Sequence, residues 1–341
     1  MTKTPDPNSQ PAGKRKRVPD FIIAGAMKCG TTWLHDALNR VDGVFIPRDE
    51  VHWIDAHDPI SHPDFHTVTA QGLKLRRGPE TRWFVDTPKE AAEARFYGYD
   101  STTLCHAQID LAALAADMPE TRVIVVLRNP VSRAFSHYWH LVRTGRASHP
   151  FEIEILHGKQ EILHRSLYAD AVLRLQAAFG DRVLFVCYER IFAEPQTELS
   201  RVVDFLGLPD GAVEAMHEHL TVRSNPGRYP RFLPGWLFAA RLLSGWERGR
   251  YAQEVLPQGQ DRGVRRRVAR ALYFAKLGAM VLAAGGIHRS SPKMKPQTRE
   301  ELEMYFGAAN VRLDDSLGPD FMSLWRETAH HLGDVTGKPA A

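Results

Sequence analysis

The sequence predicts an α/β fold in three layers, a central parallel sheet with helices packed on its faces. Short apolar runs recur at Phe21–Ala24, Val44–Ile46, Trp83–Val85, Val123–Leu127 and Val183–Val186, and the segments between them are often helical in pattern. That alternation is expected when parallel strands are joined through helices. The Val123–Leu127 run, VIVVL, is apolar at every position, as a central strand covered on both sides should be.

Residues 1–19 are polar and proline-rich, with a KRKR run and no apolar stretch behind it. They read as a disordered tail and not as a secretory leader. Order is expected from Asp20, where the first strand leads through a glycine-containing turn into a helical pattern over Thr31–Asn39. The VIVVL strand ends at Arg128-Asn129-Pro130, and proline suits the first turn of a following helix. That helix is expected to carry Arg133, Ser136, His137 and His140, at i, i+3, i+4 and i+7, as one polar stripe. Further helices are expected over Ser166–Phe179 and Pro195–Leu206, the latter burying Leu199, Val202, Val203 and Leu206. Terminal helices are expected from about Gln297 to Leu332. The reading is of one domain, 20–334, with a helical insertion at about 228–286. Within that insertion apolar and basic patches alternate, and no window reaches the roughly eighteen apolar residues of a membrane span.

The chain has 341 residues, a formal net charge of +4, 43% hydrophobic and 25% charged residues. Such a composition points neither to overall disorder nor to a membrane class. A mild basic balance suits an acidic small ligand as well as nucleic acid, and the basic clusters read first as solvated faces; no nucleic-acid partner is expected. Cys29, Cys105 and Cys187 are odd in number and lack CxxC spacing. Neither a disulfide framework nor a zinc site is indicated, no metal is expected, and a reducing, cytoplasmic setting is the simpler inference.

The chemistry concentrates in Gly25-Ala26-Met27-Lys28-Cys29-Gly30-Thr31-Thr32. A glycine-rich turn between a strand and a helix aims backbone N–H groups and a helix N-terminus at one spot, which suits an anion. The glycine spacing is that of a Walker A loop, but Thr31 stands where the lysine should come. The strongest later strand ends in Arg128 and not in an acid able to hold Mg²⁺. A P-loop kinase or nucleotidase is therefore disfavoured, and Lys28, inside the loop, would address a shorter, two-headed anion. A bare glycine turn is more often a packing device; here a lysine, two threonines and a tryptophan come in one block.

That block, Lys28-Cys29-Gly30-Thr31-Thr32-Trp33, resembles the 5′-phosphosulfate loop of the sulfotransferases that use 3′-phosphoadenosine-5′-phosphosulfate (PAPS). Val125–Tyr138, VVLRNPVSRAFSHY, is similar to their 3′-phosphate motif, a strand, an arginine and a serine eight residues on. The resemblance continues through Arg165-Ser166-Leu167-Tyr168, Tyr188-Glu189-Arg190 and the FLGLP run ending at Pro209, in the order of heparan sulfate and bacterial carbohydrate sulfotransferases. It covers most of residues 20–225. Arg289-Ser290-Ser291-Pro292-Lys293 resembles the loop that closes over the nucleotide.

The resemblance implies a P-loop-like fold and sulfuryl transfer from PAPS to a hydroxyl or amine of a carbohydrate, lipid or small-molecule acceptor, a glycan or glycolipid among them. It implies a donor site of Lys28, Cys29, Gly30, Thr31, Thr32, Trp33, Arg128, Ser136, Tyr168, Arg289, Ser290, Ser291 and Lys293. In that site Thr31 and Thr32 bond the 5′-phosphate, Trp33 stacks near adenine, Arg128 and Ser136 take the 3′-phosphate, and Lys28 steadies the leaving phosphate. Glu50, in Pro47-Arg48-Asp49-Glu50-Val51-His52-Trp53, stands where the glycan enzymes carry a glutamate followed by aromatics, and is the candidate base. His52 is the competitor, since an imidazole can take a proton near neutrality, and on a strand the two would share a face. One departure is Asp86 before Thr87-Pro88, where the heparan sulfate enzymes often carry a lysine. Either Lys28 acts alone or Arg76, Arg77 or another basic residue substitutes, and a catalytically degenerate PAPS-binding protein is the other reading. The 228–286 segment, with Trp236, Phe238, Leu242, Leu243 and Trp246, is a lid, a peripheral membrane contact or core packing.

Overall fold

The computed structural model describes residues 17–48, 54, 55, 58, 66–69, 72–75, 89–220, 227–244, 264–318, 321 and 325. Strand β1 (Phe21–Gly25) leads to helix α1 (Thr31–Leu38) and the short β2 (Val44–Phe45), followed by an antiparallel pair, β3 (His66–Thr69) and β4 (Gly72–Leu75). Then come α2 (Lys89–Glu93), β5 (Phe96–Asp100), α3 (Leu111–Asp117), β6 (Arg122–Leu127) and α4 (Pro130–Arg143). Two short helices, α5 (Phe151–Ile153) and α6 (Glu161–His164), precede α7 (Ala169–Phe179), β7 (Val183–Cys187), α8 (Tyr188–Ala193), α9 (Pro195–Leu206) and α10 (Ala212–His217). The last part holds β8 (Tyr229–Pro230), α11 (Leu233–Leu242), α12 (Val264–Ala283), β9 (Ile287–His288), α13 (Pro296–Ala309) and α14 (Leu313–Leu317).

Five strands form one parallel sheet in the order β2-β5-β1-β6-β7, flanked by helices. The expected α/β class is what the chain adopts. β1 and β6 are buried along almost their whole length, which is why their apolar runs stand out in the sequence. Because β1 lies between β5 and β6, the turns leaving β1 and β6 emerge side by side at the carboxyl edge, where open α/β sheets hold their ligands. The Ala26 N–H donates to the Val126 carbonyl (2.8 Å), fixing one turn against the other strand.

Two features depart from the reading of the sequence. The strand between β2 and β1 is Phe96–Asp100, which no apolar run announces, while Trp83–Val85 lies outside the described residues. A Cβ on Gly98 would fall 2.3 Å from the Phe21 ring; glycine stands there so that the ring can lie across the strand. The packed chain also begins three residues before Asp20. The Arg17 guanidinium donates to the carbonyls of Ala91 (2.7 Å) and Ala94 (2.5 Å) and to Asp20 (2.6 Å).

Two apolar clusters divide the interior. One surrounds the sheet with α1, α3, α7 and α9. The other gathers on α4, where Val131, Tyr138, Leu141 and Val142 meet Trp236, Ala240, Met280, Leu302 and Phe306 from the last third of the chain. Two polar contacts pin α11 and α12 there: the Trp236 indole N–H donates to the Val142 carbonyl (2.8 Å) and the buried Lys276 ammonium to the Gly145 carbonyl (2.9 Å). Packing thus accounts for one face of these helices. Trp246 lies outside the described residues.

Candidate donor site

At the carboxyl end of β1 the chain turns tightly. The Cys29 N–H closes the turn on the Ala26 carbonyl (3.1 Å), and Lys28 and Gly30 take left-handed backbone, φ 71° and 92°. Glycine adopts that conformation freely, whereas at lysine it is uncommon and concentrates at functional sites. Gly30 also permits close approach, because a Cβ there would sit 2.7 Å from the Tyr188 ring. Gly30 at the start of α1 brings no capping side chain, so the first N–H groups of the helix and the positive end of its dipole face whatever lies above the turn. Thr31 is buried in that first turn and Thr32 is exposed.

Lys28 is held from α4. Its Nζ lies 3.3 Å from His140 Nδ1. Burial, reinforced by Lys28, Arg146 and Arg143, pushes the His140 pKa well below the usual histidine value. The imidazole is neutral, and its Nδ1 lone pair accepts from the lysine ammonium.

Beside this turn, β6 ends at Arg128. Its guanidinium carbon stands 4.6 Å over the Tyr188 ring, and its buried Nε has no hydrogen-bond partner among the described residues. Asn129 caps α4 by accepting the Ser132 N–H (3.0 Å), with Pro130 at the first position, a strong N-terminal signal. Ser136 is half-buried on α4, on the same helix as His140. Buried Glu189 fixes the turn from below, accepting the Asn129 N–H (2.9 Å) and the Trp325 indole N–H (3.0 Å).

The expected polar stripe on α4 divides in two. Ser136 and His140 are half-buried, but Arg133 and His137 are sealed inside the protein. Arg133 donates to Ser166 Oγ (2.7 Å) and to the Ile162 carbonyl, and approaches His137 Nδ1 (3.3 Å), while its Nη1 is buried without a partner among the described residues. Helical spacing aligns the four residues; the packing of α6 and the Ser166 turn on one edge of the stripe decides which are covered.

Three residues expected to touch the donor have other contacts. Tyr168 is fully buried, and its hydroxyl donates to the Arg128 carbonyl (2.9 Å) and lies 3.6 Å from Cys29 Sγ. It therefore ties the two turns together from beneath. The Cys29 thiol points into that interior, where burial pushes its pKa up to about 11; it stays protonated at neutral pH. Trp33 is also buried, its indole N–H donating to the His219 carbonyl (3.2 Å). The open part of its aromatic group is Phe192, 45% exposed, with ring centroids 5.8 Å from Trp33 and 5.1 Å from Tyr188. No motif or spacing rule marks Phe192 in the sequence, and only the fold brings it to the site.

Arg289, Ser290 and Lys293 are exposed and Ser291 is half-buried, on the segment leaving β9. β9 pairs with β8, and Tyr229 of β8 lies edge-on to Trp139 of α4 (5.2 Å), three residues past Ser136. Glu50, His52, Arg76, Arg77 and Asp86 all lie outside the described residues. Among the described residues no group of three or more His, Cys, Asp or Glu side chains could hold a metal ion. The three cysteines are buried and free.

One strand end thus carries a lysine and an uncapped helix N-terminus, and the next carries an arginine, which defines a class of α/β protein suited to a ligand with two separated anionic groups. A sulfotransferase-domain model matches residues 18–229, and the chain belongs to that family. It is similar to heparan sulfate glucosamine 3-O-sulfotransferase 6 of Mus musculus, 28% identical over 204 residues that cover 57% of this chain and 54% of that protein. It is also similar to heparan sulfate glucosamine 3-O-sulfotransferase 3B1 of Homo sapiens, 26% identical over 204 residues, 57% of this chain and 47% of that protein. The chain therefore spans about half the length of these curated relatives. Among solved structures, a sulfotransferase from Alicyclobacillus acidocaldarius shares the fold, with a TM-score of 0.52 at 22% identity over 91% of this chain and 99% of that one.

Proposed function

We propose that the protein transfers a sulfuryl group from PAPS to a hydroxyl or amine of an acceptor. The observation that carries this reading is the pair of cationic turns at adjacent strand ends, Lys28 after β1 and Arg128 after β6, joined through Tyr168. A donor with phosphate at both its 5′ and 3′ positions needs two such turns. The Arg128 Nε, without a partner among the described residues, and the N-terminus of α1, which begins at Gly30 with no capping side chain, fit its two anionic ends.

In this reading α1, Thr31 and Thr32 bind the 5′-phosphate, and Arg128 and Ser136 bind the 3′-phosphate. The adenine lies against Tyr188 and Phe192, in front of Trp33, and Arg289, Ser290, Ser291 and Lys293 close over the nucleotide. Glu50, with His52 as its competitor, takes the acceptor proton while the acceptor oxygen or nitrogen attacks sulfur. The bond between sulfur and the bridging phosphate oxygen breaks, and adenosine 3′,5′-bisphosphate leaves. Lys28, held by His140, neutralises the charge that grows on that oxygen, where a fixed cation is most effective. The similarity to heparan sulfate glucosamine 3-O-sulfotransferases supports a carbohydrate acceptor, and a lipid or small molecule stays in the same class of reaction. Three free, buried thiols support a reducing compartment, the cytoplasm.

The test is transfer from sulfur-labelled PAPS to a panel of oligosaccharides, glycolipids and small alcohols, with the bisphosphate product measured beside it. One bisphosphate per sulfated acceptor is the expected result. Binding of adenosine 3′,5′-bisphosphate without transfer to any class of acceptor would instead support a degenerate PAPS-binding protein. Absence of both binding and transfer defeats the reading.

A further inference from the structure

The hairpin of α11 and α12 is covered on one face and bare on the other. The Phe232 N–H donates to the Ala284 carbonyl (3.1 Å), and β8 pairs antiparallel with β9, so the start of α11 lies against the end of α12. Trp236, Ala240, Tyr273, Lys276, Met280 and Ala284 are buried, most of them in the cluster around α4. Opposite them, Phe238 is 68%, Leu242 72% and Leu282 82% exposed. Phe238 and Leu242 are one turn apart on α11, and Val268, Leu272 and Leu282 fall within one stripe of α12. Of the large apolar side chains exposed among the described residues, more than half lie between Phe232 and Ile287. A contiguous exposed apolar stripe on a folded protein calls for an apolar cover, and here the stripe faces water.

Charge identifies the missing setting. Across residues 227–244 and 264–295 the sequence holds eleven lysines and arginines and neither aspartate nor glutamate, and residues 245–263 between them hold three of each sign. Lys276 is buried and Lys295 pairs with Glu152, which leaves nine. A protein interior or a second copy of the same hairpin would have to bury or oppose like charges; an anionic lipid surface pairs with them while its acyl layer takes the phenylalanine and leucines. No helix among the described residues is long and apolar enough to cross a membrane. We infer that the α11–α12 hairpin is an interfacial contact that seats the protein on the surface of an anionic bilayer. The inference does not depend on the sulfuryl-transfer reading. It bears on that reading all the same, since Trp236 and Lys276 fasten the hairpin to the end of α4, the helix that carries Ser136 and His140.

The experiment is co-sedimentation of the full chain with vesicles of phosphatidylcholine alone and of phosphatidylcholine mixed with phosphatidylglycerol. Binding is expected to the mixed vesicles, to be at least several-fold weaker on the neutral ones, and to fall by on the order of tenfold at about 1 M salt, where the Debye length is about 3 Å. Phe238→Ser with Leu282→Ser, both at exposed positions, should also lower binding several-fold. A matching melting temperature and an unchanged circular dichroism spectrum would show that the variant is folded. Lack of binding to mixed vesicles, or equal binding by the variant, overturns the inference. So does a stable dimer in light scattering that the double substitution dissociates, because a second copy would then cover the face.

Discussion

Lys28 combines an uncommon backbone conformation, a place in the tight turn between β1 and α1 and a neutral imidazole 3.3 Å from its ammonium. A cation that steadies a leaving group acts in the transition state more than in donor binding, so Lys28→Ala should lower kcat by about 10²-fold or more with little change in donor affinity. Arg128→Ala should do the reverse, and calorimetry with adenosine 3′,5′-bisphosphate separates the two; undiminished binding to Arg128→Ala would remove it from the 3′-phosphate site. His140 is expected to act through Lys28. His140→Gln retains an acceptor for the ammonium and should keep most of kcat, whereas His140→Leu should lose on the order of tenfold at similar KM for PAPS. Equal behaviour of the two variants would leave His140 a packing role only. Glu50→Gln removes proton affinity and keeps shape, and turnover should fall about 10²-fold if this carboxylate is the base; full activity there with loss in His52→Ala assigns the proton to the imidazole.

At the level of elements, legibility in the sequence tracks burial. β1, β6 and β7 can be read because their side chains are apolar wherever helices cover the sheet. β5 cannot, because its sequence, FYGYD, is shaped by a contact with the neighbouring strand. Gly98 leaves room for the Phe21 ring, and Asp100 stands within 3.5 Å of His35 Nδ1. Gly98→Val should consequently cost about 1–3 kcal/mol through overpacking, seen as a lower midpoint in urea with an unchanged slope. The same distinction runs through the site. The loop and the arginine turn are legible as motifs, since spacing along one chain segment defines them. That Arg133 and His137 are sealed, that Trp33 lies behind Phe192, and that Tyr168 reaches the Arg128 carbonyl all depend on segments far apart in sequence meeting in space.

For the molecule as a whole, the family match ends at residue 229, yet the site leans on residues well beyond that point. Asn310 accepts the Tyr168 N–H (2.9 Å) and donates to the Ser166 carbonyl (3.1 Å), and Trp325 supports Glu189 and Asn129. A fragment limited to residues 17–229 should therefore fail to give a cooperative unfolding transition or to bind the bisphosphate; a folded, binding fragment would contradict this dependence. Acid should weaken the whole fold through three histidines kept neutral by burial. His106 has its pKa lowered to about 3, and His137 and His140 lie well below 6.5. From about pH 6.5 downward the unfolded chain takes up protons that the folded one refuses. Each such group can therefore remove up to about 1.4 kcal/mol of stability per pH unit, and urea midpoints at about pH 7 and about pH 5 should differ in that direction. The Tyr168 phenol, finally, gives the turns after β1 and β6 a common anchor, and with it the protein a caliper. The gap between the turns is set by a buried side chain that a ligand cannot push aside. Nucleotides would then be sorted by the reach between their charged ends: adenosine 5′-phosphosulfate lacks one end and ATP carries its charge at one end only, so both should bind far more weakly than PAPS.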